Sequence, residues 1–281
     1  MTDARPAPRV SICIPVYNAE AYVASAIESV RRQTYPGWEL IVIDDCSTDG
    51  TRAVLQALLE RLADPRVTLH ANTRRLGQAG NCNRAVELAS GEFLKLLFAD
   101  DLLEPDCIEM QVAAMERHPG VSLATCSRKI VSATGKLLFI RRSFRRDGVY
   151  PGRAVIARCI RGGTNLIGEP SAVLLRRATL ERAGRFRESV VYYTDLDLWL
   201  RVLMHGDLYF IAAPKASFRI HGQSVTRGAE GKMLDDYFRV ADTICGATRT
   251  ELTRLQRFWL SWKVRSLNAA RRAIYNRLAQ R

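Results

Sequence analysis

Apolar runs alternate with amphipathic stretches over the first 110 residues. Val10 to Val16 reads as a strand, and Leu40-Ile41-Val42-Ile43 as a second that reaches Asp44. Val67 to His70 is a short third, and Phe93 to Phe98, polar only at Lys95, a fourth. Apolar runs of this kind predict strands buried on both faces. Helices are predicted between them over Glu20 to Gln33, Thr51 to Ala63 and Ala79 to Ala89; in the first, Tyr22, Val23, Ala26, Ile27 and Val30 recur at helical spacing. Asn18 stands where it can cap that first helix. Strand-helix alternation predicts an α/β fold with a parallel, doubly wound sheet flanked by helices.

Three clusters of aspartates punctuate this pattern: Asp44-Asp45, Asp100-Asp101, and Asp195 with Asp197. The first two close predicted strands. Carboxylates at the C-terminal ends of parallel strands collect in the crevice where open α/β sheets bind ligands, so a cation, or a polyphosphate with its metal, is expected there. The first strand-helix turn, Pro15-Val16-Tyr17-Asn18-Ala19-Glu20, lacks the glycines that let a backbone approach a pyrophosphate, which argues against a dinucleotide-dependent dehydrogenase. A phosphoacceptor signalling domain would carry its acidic pair after the first strand, where this chain has Tyr17-Asn18.

Composition changes this picture little. The 281 residues are 47% hydrophobic, enough to fill a sizeable core. No run approaches the roughly 18 uncharged apolar residues of a membrane span, and Met1 to Arg9 has no apolar leader core, so a cytosolic protein is expected. Seven scattered cysteines without metal-ligand spacing read as reduced, mostly buried thiols rather than a zinc site.

Charge does change it. The net charge is +13, and Arg249 to Arg281 holds nine Lys/Arg against the single acid Glu251, so that segment supplies +8 and the rest +5. A nucleic-acid binder should carry its basic residues across the folded face. Such a binder, or a non-catalytic nucleotide-binding protein on an α/β scaffold, is the alternative reading. In the tail, Leu252, Leu255, Trp259 and Trp262 recur at helical spacing, followed by Leu267, Ile274 and Leu278, with arginines between. A basic amphipathic helix of this composition suits an anionic membrane surface. It equally suits packing on the rest of the chain or on a second subunit of a homodimer.

Ser11-Ile12-Cys13-Ile14-Pro15-Val16-Tyr17-Asn18, Asp44-Asp45-Cys46-Ser47-Thr48-Asp49-Gly50-Thr51, and Gly91-Glu92-Phe93 followed by Asp100-Asp101 and Pro105 resemble family-two glycosyltransferases of the GT-A fold. Gly168-Glu169-Pro170-Ser171, Arg176-Arg177, Gly184 with Phe186, Asp195-Leu196-Asp197-Leu198-Trp199-Leu200-Arg201 and Arg219-Ile220-His221 continue the pattern in order, so it covers about residues 9 to 225. The resemblance implies a Rossmann-like catalytic domain over residues 1–228, with a nucleotide-binding half near 9–104 and an acceptor half near 105–228. A basic helical extension over 229–281 follows. It further implies inverting, metal-dependent transfer from a nucleoside-diphosphate sugar, a UDP-sugar first among them, to a hydroxyl on a glycan or lipid-linked acceptor. The setting would be bacterial surface polysaccharide, lipopolysaccharide or lipid-linked glycan synthesis, on the cytoplasmic side or peripheral to the inner face of the plasma membrane.

Residue by residue, the resemblance makes Asp100 the ligand of Mn²⁺ or Mg²⁺, hard ions that take carboxylate oxygens. Phe98 stands where many relatives carry the first acid of the Asp-x-Asp signature. His221 is expected close to the metal or the diphosphate. Pro15 and Tyr17 would form the wall against which the base stacks, with Asn18 beside them. Asp45 would hydrogen-bond the base, and Asp44 would be structural. Arg75 is a candidate to reach phosphate, with Arg74 as well placed. Asp195 is implied as catalytic base, with Thr194 where relatives carry another acid. Glu169 is expected on the acceptor side, and Asp197 either there or as a charge at a helix N-terminus. Trp199 and Leu198 should be core. Arg141, Arg142, Arg145 and Arg146 around Phe144 read as a mobile loop able to attract an anionic acceptor, or as a solvated charge run.

Overall fold

A computed structural model describes residues 9–221, 232–247 and 252–279. Ten strands form one sheet: β1 (Val10–Val16), β2 (Trp38–Asp44), β3 (Val67–Ala71), β4 (Phe93–Leu96), β5 (Leu102–Leu103), β6 (Val121–Val131), β7 (Leu137–Arg141), β8 (Gly148–Tyr150), β9 (Val173–Arg176) and β10 (Asp207–Arg219). The helices are α1 (Val23–Arg31), α2 (Thr51–Leu62), α3 (Gly77–Leu88), α4 (Cys107–Arg117), α5 (Gly152–Gly162), α6 (Arg177–Ala183), α7 (Thr194–Leu203), α8 (Met233–Ala247) and α9 (Arg254–Ala279).

The sheet runs β3-β2-β1-β4-β9-β6-β10-β5, with β7 on β6 and β8 on β10. From β3 to β4 every pairing is parallel. Beyond β4 the sheet is mixed, because β9 lies antiparallel to both β4 and β6 while β10 returns parallel to β6. The expected doubly wound, mostly parallel pattern therefore holds for the first half, and an antiparallel insertion builds the second.

Successive strand residues point to opposite faces, and both faces here are apolar. Ile12, Ile14, Leu40 and Val42 pack with α1, α2 and α4, while Cys13, Ile41 and Ile43 pack with α3 and the later helices. Burial of neighbouring residues on both sides explains why the first strands lack a hydrophobic-polar alternation.

Two expectations shift in detail. The fourth strand ends at Leu96, short of Phe98, and the first helix begins at Val23. Asn18 does not cap that helix. It sits in the left-handed region at φ 50°, which asparagine tolerates, and its Oδ1 accepts the Thr48 N–H at 2.8 Å. The chain thereby turns across the end of the sheet toward the loop after β2, and the helix starts only after that turn.

Helices α8 and α9 belong to the same core as the rest. Met233, Tyr237, Val240, Ala241 and Ile244 of α8, with Leu260 and Val264 of α9, join the cluster that covers α5 and α7. The boundary expected between residues 228 and 229, the start of the basic stretch at Arg249 and the first residues, Met1 to Pro8, lie outside the described residues, as do the side chains of Ile274 and Leu278. No helix among the described residues is long and apolar enough to cross a membrane.

Candidate active site

The first parallel strands deliver their C-terminal ends to one edge, and the loops that follow line a cleft of about 380 Å³. Tyr17 follows β1 directly, and the Arg75 guanidinium lies over its ring, 3.8 Å from the centroid. Asp44, at the end of β2, is buried and accepts the Ser47 N–H at 3.1 Å, a structural turn as expected. Asp45 lines the cleft but is 2% exposed, and both of its oxygens are engaged by protein. Oδ1 accepts from Asn72 Nδ2 at 2.8 Å and from the Leu76 N–H at 2.7 Å, and Oδ2 accepts from the Gly77 N–H at 2.8 Å. The carboxylate thus fixes the 72–77 loop at the start of α3, where a negative charge also meets the positive end of the helix dipole.

At the second strand end the two adjacent carboxylates have different tasks. Asp101 is buried: Oδ2 accepts Ser171 Oγ–H at 2.5 Å and Oδ1 accepts the Arg219 N–H at 3.0 Å. Burial and the neighbouring Asp100 push its carboxyl well above the usual carboxylate range. Asp100 faces the cleft, and its Oδ2 lies 2.8 Å from His221 Nε2. Arg219 makes that contact possible: its backbone is held by Asp101, and its Nε donates to the Asp100 carbonyl at 2.8 Å. The end of β10 is thereby clamped to the turn after β4. The His221 ring packs against Tyr22, with centroids 5.1 Å apart.

On the other side Asp195 stands in the first turn of α7, with its Oδ1 accepting the Leu196 N–H at 2.7 Å and its Oδ2 accepting Asn165 Nδ2 at 2.9 Å. Asn165 also accepts the N–H groups of Ile167 and Gly168, so its amide is oriented by backbone. Gly168 takes φ 125°, a conformation open to glycine, and its carbonyl accepts the indole N–H of the buried Trp199 at 3.0 Å. Glu169 follows, paired with Arg128 Nε at 2.6 Å and Arg141 Nη1 at 3.1 Å.

Asp197 stands in the first turn of α7, the helix N-terminal alternative, and does not line the cleft. It is fully buried, away from the cleft lining, and its Oδ2 accepts from Arg201 at 2.7 Å one helical turn on, while Arg187 approaches Oδ1 at 3.4 Å. Two residues along a helix turn a side chain by about 200°, so Asp195 and Asp197 must face different ways. The arginine-rich segment also differs from a free loop: Arg141 ends β7 and reaches Glu169, and Phe144 is buried against Tyr150 and Phe210. Arg142, Arg145 and Arg146 remain exposed.

Pro15, Tyr17, Asn18, Asp45, Arg75, Asp100, Glu169, Asp195 and His221 all line the one cleft. Sequence reasoning missed Tyr22, Asn165 and Asn81, which share it, and Arg128, which holds Glu169 from the core. The glycines around Asn165 were a visible signal of close backbone approach; nothing local marks Tyr22, whose apolar spacing reads as helix core.

No group of three His, Cys, Asp or Glu converges among the described residues. Asp100 and His221 offer one carboxylate and one imidazole directed at the same space. Two such groups suit a cation whose remaining positions are filled by substrate phosphates and water, the usual manner of Mg²⁺ binding, better than an all-protein cage.

Comparison with known proteins identifies the family and the fold. The model of the family described as "Glycosyl transferase family 2" matches residues 11–182. The Escherichia coli UDP-Glc:alpha-D-GlcNAc-diphosphoundecaprenol beta-1,3-glucosyltransferase WfgD is 43% identical over 109 residues, 39% of this chain and 42% of that protein. Among solved structures, S. aureus TarS 1-349 in complex with UDP-GlcNAc superposes with a TM-score of 0.70 at 18% identity, over 91% of this chain and 71% of that one. The mannosyltransferase PcManGT from Pyrobaculum calidifontis, in complex with GDP-Man and Mn²⁺, gives 0.63 at 20% identity, over 96% and 75%. These likenesses extend the shared fold well past residue 182. The chain spans 20% to 69% of the length of the curated relatives it matches. With a family match over 11–182 and the GT-A architecture across nearly the whole chain, this protein belongs to glycosyl transferase family 2.

Proposed function

We propose that this family member moves a sugar from a nucleoside-diphosphate donor to an acceptor hydroxyl by a single inverting displacement. The observation that carries the reading is that the Asp100–His221 pair and the Asp195–Asn165 pair line the same cleft. Asp100 and His221 would hold Mn²⁺ or Mg²⁺, which when bound supplies positive charge where the departing diphosphate accumulates negative charge. Pro15, Tyr17 and Asn18 form the nucleotide wall. Arg75, now stacked on Tyr17, can be displaced from that ring by a base and turned toward phosphate, where a guanidinium binds in bidentate fashion. Asp45 serves the nucleotide through the 72–77 loop that it holds, with the base edge as a further contact.

On the acceptor side, Asn165 fixes the plane of the Asp195 carboxylate. The Asp195 carboxylate would accept the proton of an attacking hydroxyl. That oxygen attacks the anomeric carbon opposite the leaving diphosphate, and configuration inverts without a covalent sugar intermediate. Glu169, held by two arginines, faces the acceptor space as a fixed acceptor of hydroxyl hydrogen bonds.

A UDP-sugar is the proposed donor, supported by the UDP-sugars named for WfgD and TarS. The acceptor is proposed to be a glycan or lipid-linked glycan of a bacterial surface polysaccharide, supported by the diphosphoundecaprenol acceptor in the name of WfgD. A cytoplasmic location is part of the reading, supported by seven free cysteines, six of them buried.

The test is a thermal-shift panel of UDP, GDP and their sugars with and without Mn²⁺, followed by NMR of the product. One nucleotide should stabilise the protein in a Mn²⁺-dependent manner, by about 2.7 kcal/mol at 100 times its dissociation constant. Stabilisation by no nucleotide, or a product that keeps the donor's anomeric configuration, overturns the proposal.

A further inference from the structure

Helix α9 carries two apolar faces, and only one of them is covered. Leu260, Val264 and Asn268, spaced by four, are buried; Val264 and Leu267 close on Gly163, and Asn268 Nδ2 lies 3.4 Å from the Tyr193 hydroxyl. Leu255, Phe258, Trp259 and Trp262 are 67%, 63%, 60% and 64% exposed, more than any other large apolar side chain among the described residues. At about 100° per residue these four fall within an arc of about 100°, centred opposite the buried stripe. Such a cluster of aromatic side chains in water marks an interaction surface.

We propose that this outer face of α9 is a docking surface for an anionic lipid bilayer. Charge complementarity selects that occupant. Residues 254 to 279 carry seven Lys/Arg and no Asp or Glu, and exposed Arg254, Lys263 and Arg265 border the aromatic arc on both sides. Tryptophans with a cationic rim suit the boundary between acyl chains and anionic headgroups. The helix lies along that boundary, since it is too basic to span it.

The buried face sets what docking would deliver. Gly163, under Val264, lies two residues before Asn165, which holds Asp195; Tyr193, beside Asn268, lines the cleft. A bilayer seated on α9 is therefore mechanically continuous with the acceptor side, and the acceptor class it points to is a lipid-linked glycan. That consequence rests on the glycosyl-transfer reading; the docking does not.

The experiment uses the full chain, sedimented with vesicles of phosphatidylcholine alone or of equal parts phosphatidylcholine and phosphatidylglycerol. Its variants are a triple Phe258→Ser, Trp259→Ser, Trp262→Ser exchange and a double Arg254→Glu, Arg265→Glu exchange, all at exposed positions. The parent should bind the anionic vesicles at least tenfold more tightly than the neutral ones and lose binding as salt shortens the Debye length. Each variant should bind the anionic vesicles at least tenfold more weakly and keep the parent's melting temperature and its nucleotide-dependent stabilisation. Binding by the triple variant equal to the parent's, or no binding by the parent to anionic vesicles, overturns the proposal. So does a parent dimer, seen by light scattering, that the triple exchange dissolves while vesicle binding is absent, because the face then belongs to a second copy. A parent that binds vesicles but is stabilised by no nucleotide keeps the docking and removes the glycosyl-transfer reading alone.

Discussion

On the proposed donor side, Tyr17 and Asp45 are the residues immediately after β1 and β2, and Asp100 stands four after the end of β4. On the proposed acceptor side, Asn165 reaches Asp195 across 30 residues, and Glu169 is held from β6 and from the end of β7. The donor groups are thus placed by the ends of parallel strands that neighbour one another in the sheet. The acceptor groups are placed by polar contacts between segments that the mixed half of the sheet brings together. A strand end tolerates the loss of a side chain, because backbone pairing holds it. A polar scaffold does not, because each partner orients the next. His221 is the donor-side exception, delivered from 121 residues away by the Arg219 clamp.

The largest expected effect tests the acceptor side. Asp195→Asn keeps the side chain's shape and one of its two accepted hydrogen bonds but removes the proton acceptor, so transfer should fall by about 10² to 10⁴, or roughly 3 to 5 kcal/mol of barrier. Donor affinity, measured by calorimetry, should be unchanged. Rates within threefold of the parent would sink Asp195 as base.

Asp197, two residues on, should behave in the opposite way. Asp197→Ala leaves Arg201 buried without its carboxylate and should cost about 3 to 5 kcal/mol of stability in denaturant unfolding. The folded fraction should turn over at close to the parent rate. A loss of rate without a loss of stability would return Asp197 to the site.

Asp100→Ala should remove the Mn²⁺-dependent part of donor stabilisation, up to about 2.7 kcal/mol at 100 times the dissociation constant, and leave the melting temperature without ligand near that of the parent. Retained Mn²⁺ dependence at parent strength would show that the cation sits elsewhere. A large loss of stability would show that this strand end is as much a scaffold as the acceptor side.

The smallest effect is expected at Arg75. Arg75→Ala removes a cation–π contact worth about 0.5 to 1 kcal/mol at an exposed ring, and stability should change by no more than that. Donor affinity should fall further than stability if the guanidinium reaches phosphate. Equal small changes in both would leave Arg75 as a cover for Tyr17 alone.

The strands of the first half, the order of the early helices and nine of the residues that line the cleft were legible in the sequence. Apolar runs report two-sided burial directly, and a residue that ends a parallel strand has its place fixed by the strand. Asp100, Asp195 and His221 could be named because each stands in a short motif of contiguous residues that the resemblance carries. The tertiary structure decided the rest. It separated Asp100 from Asp101, since which of two neighbouring carboxylates is buried depends on partners as distant as Ser171 and Arg219. It took Asn18 from helix cap to loop stitch and gave Asp45 three protein donors before any ligand arrives. It also divided the two apolar faces of α9, one against Gly163 and one toward solvent. Periodicity reports that a helix has an apolar face; only the packing of the whole chain determines which face the protein itself covers.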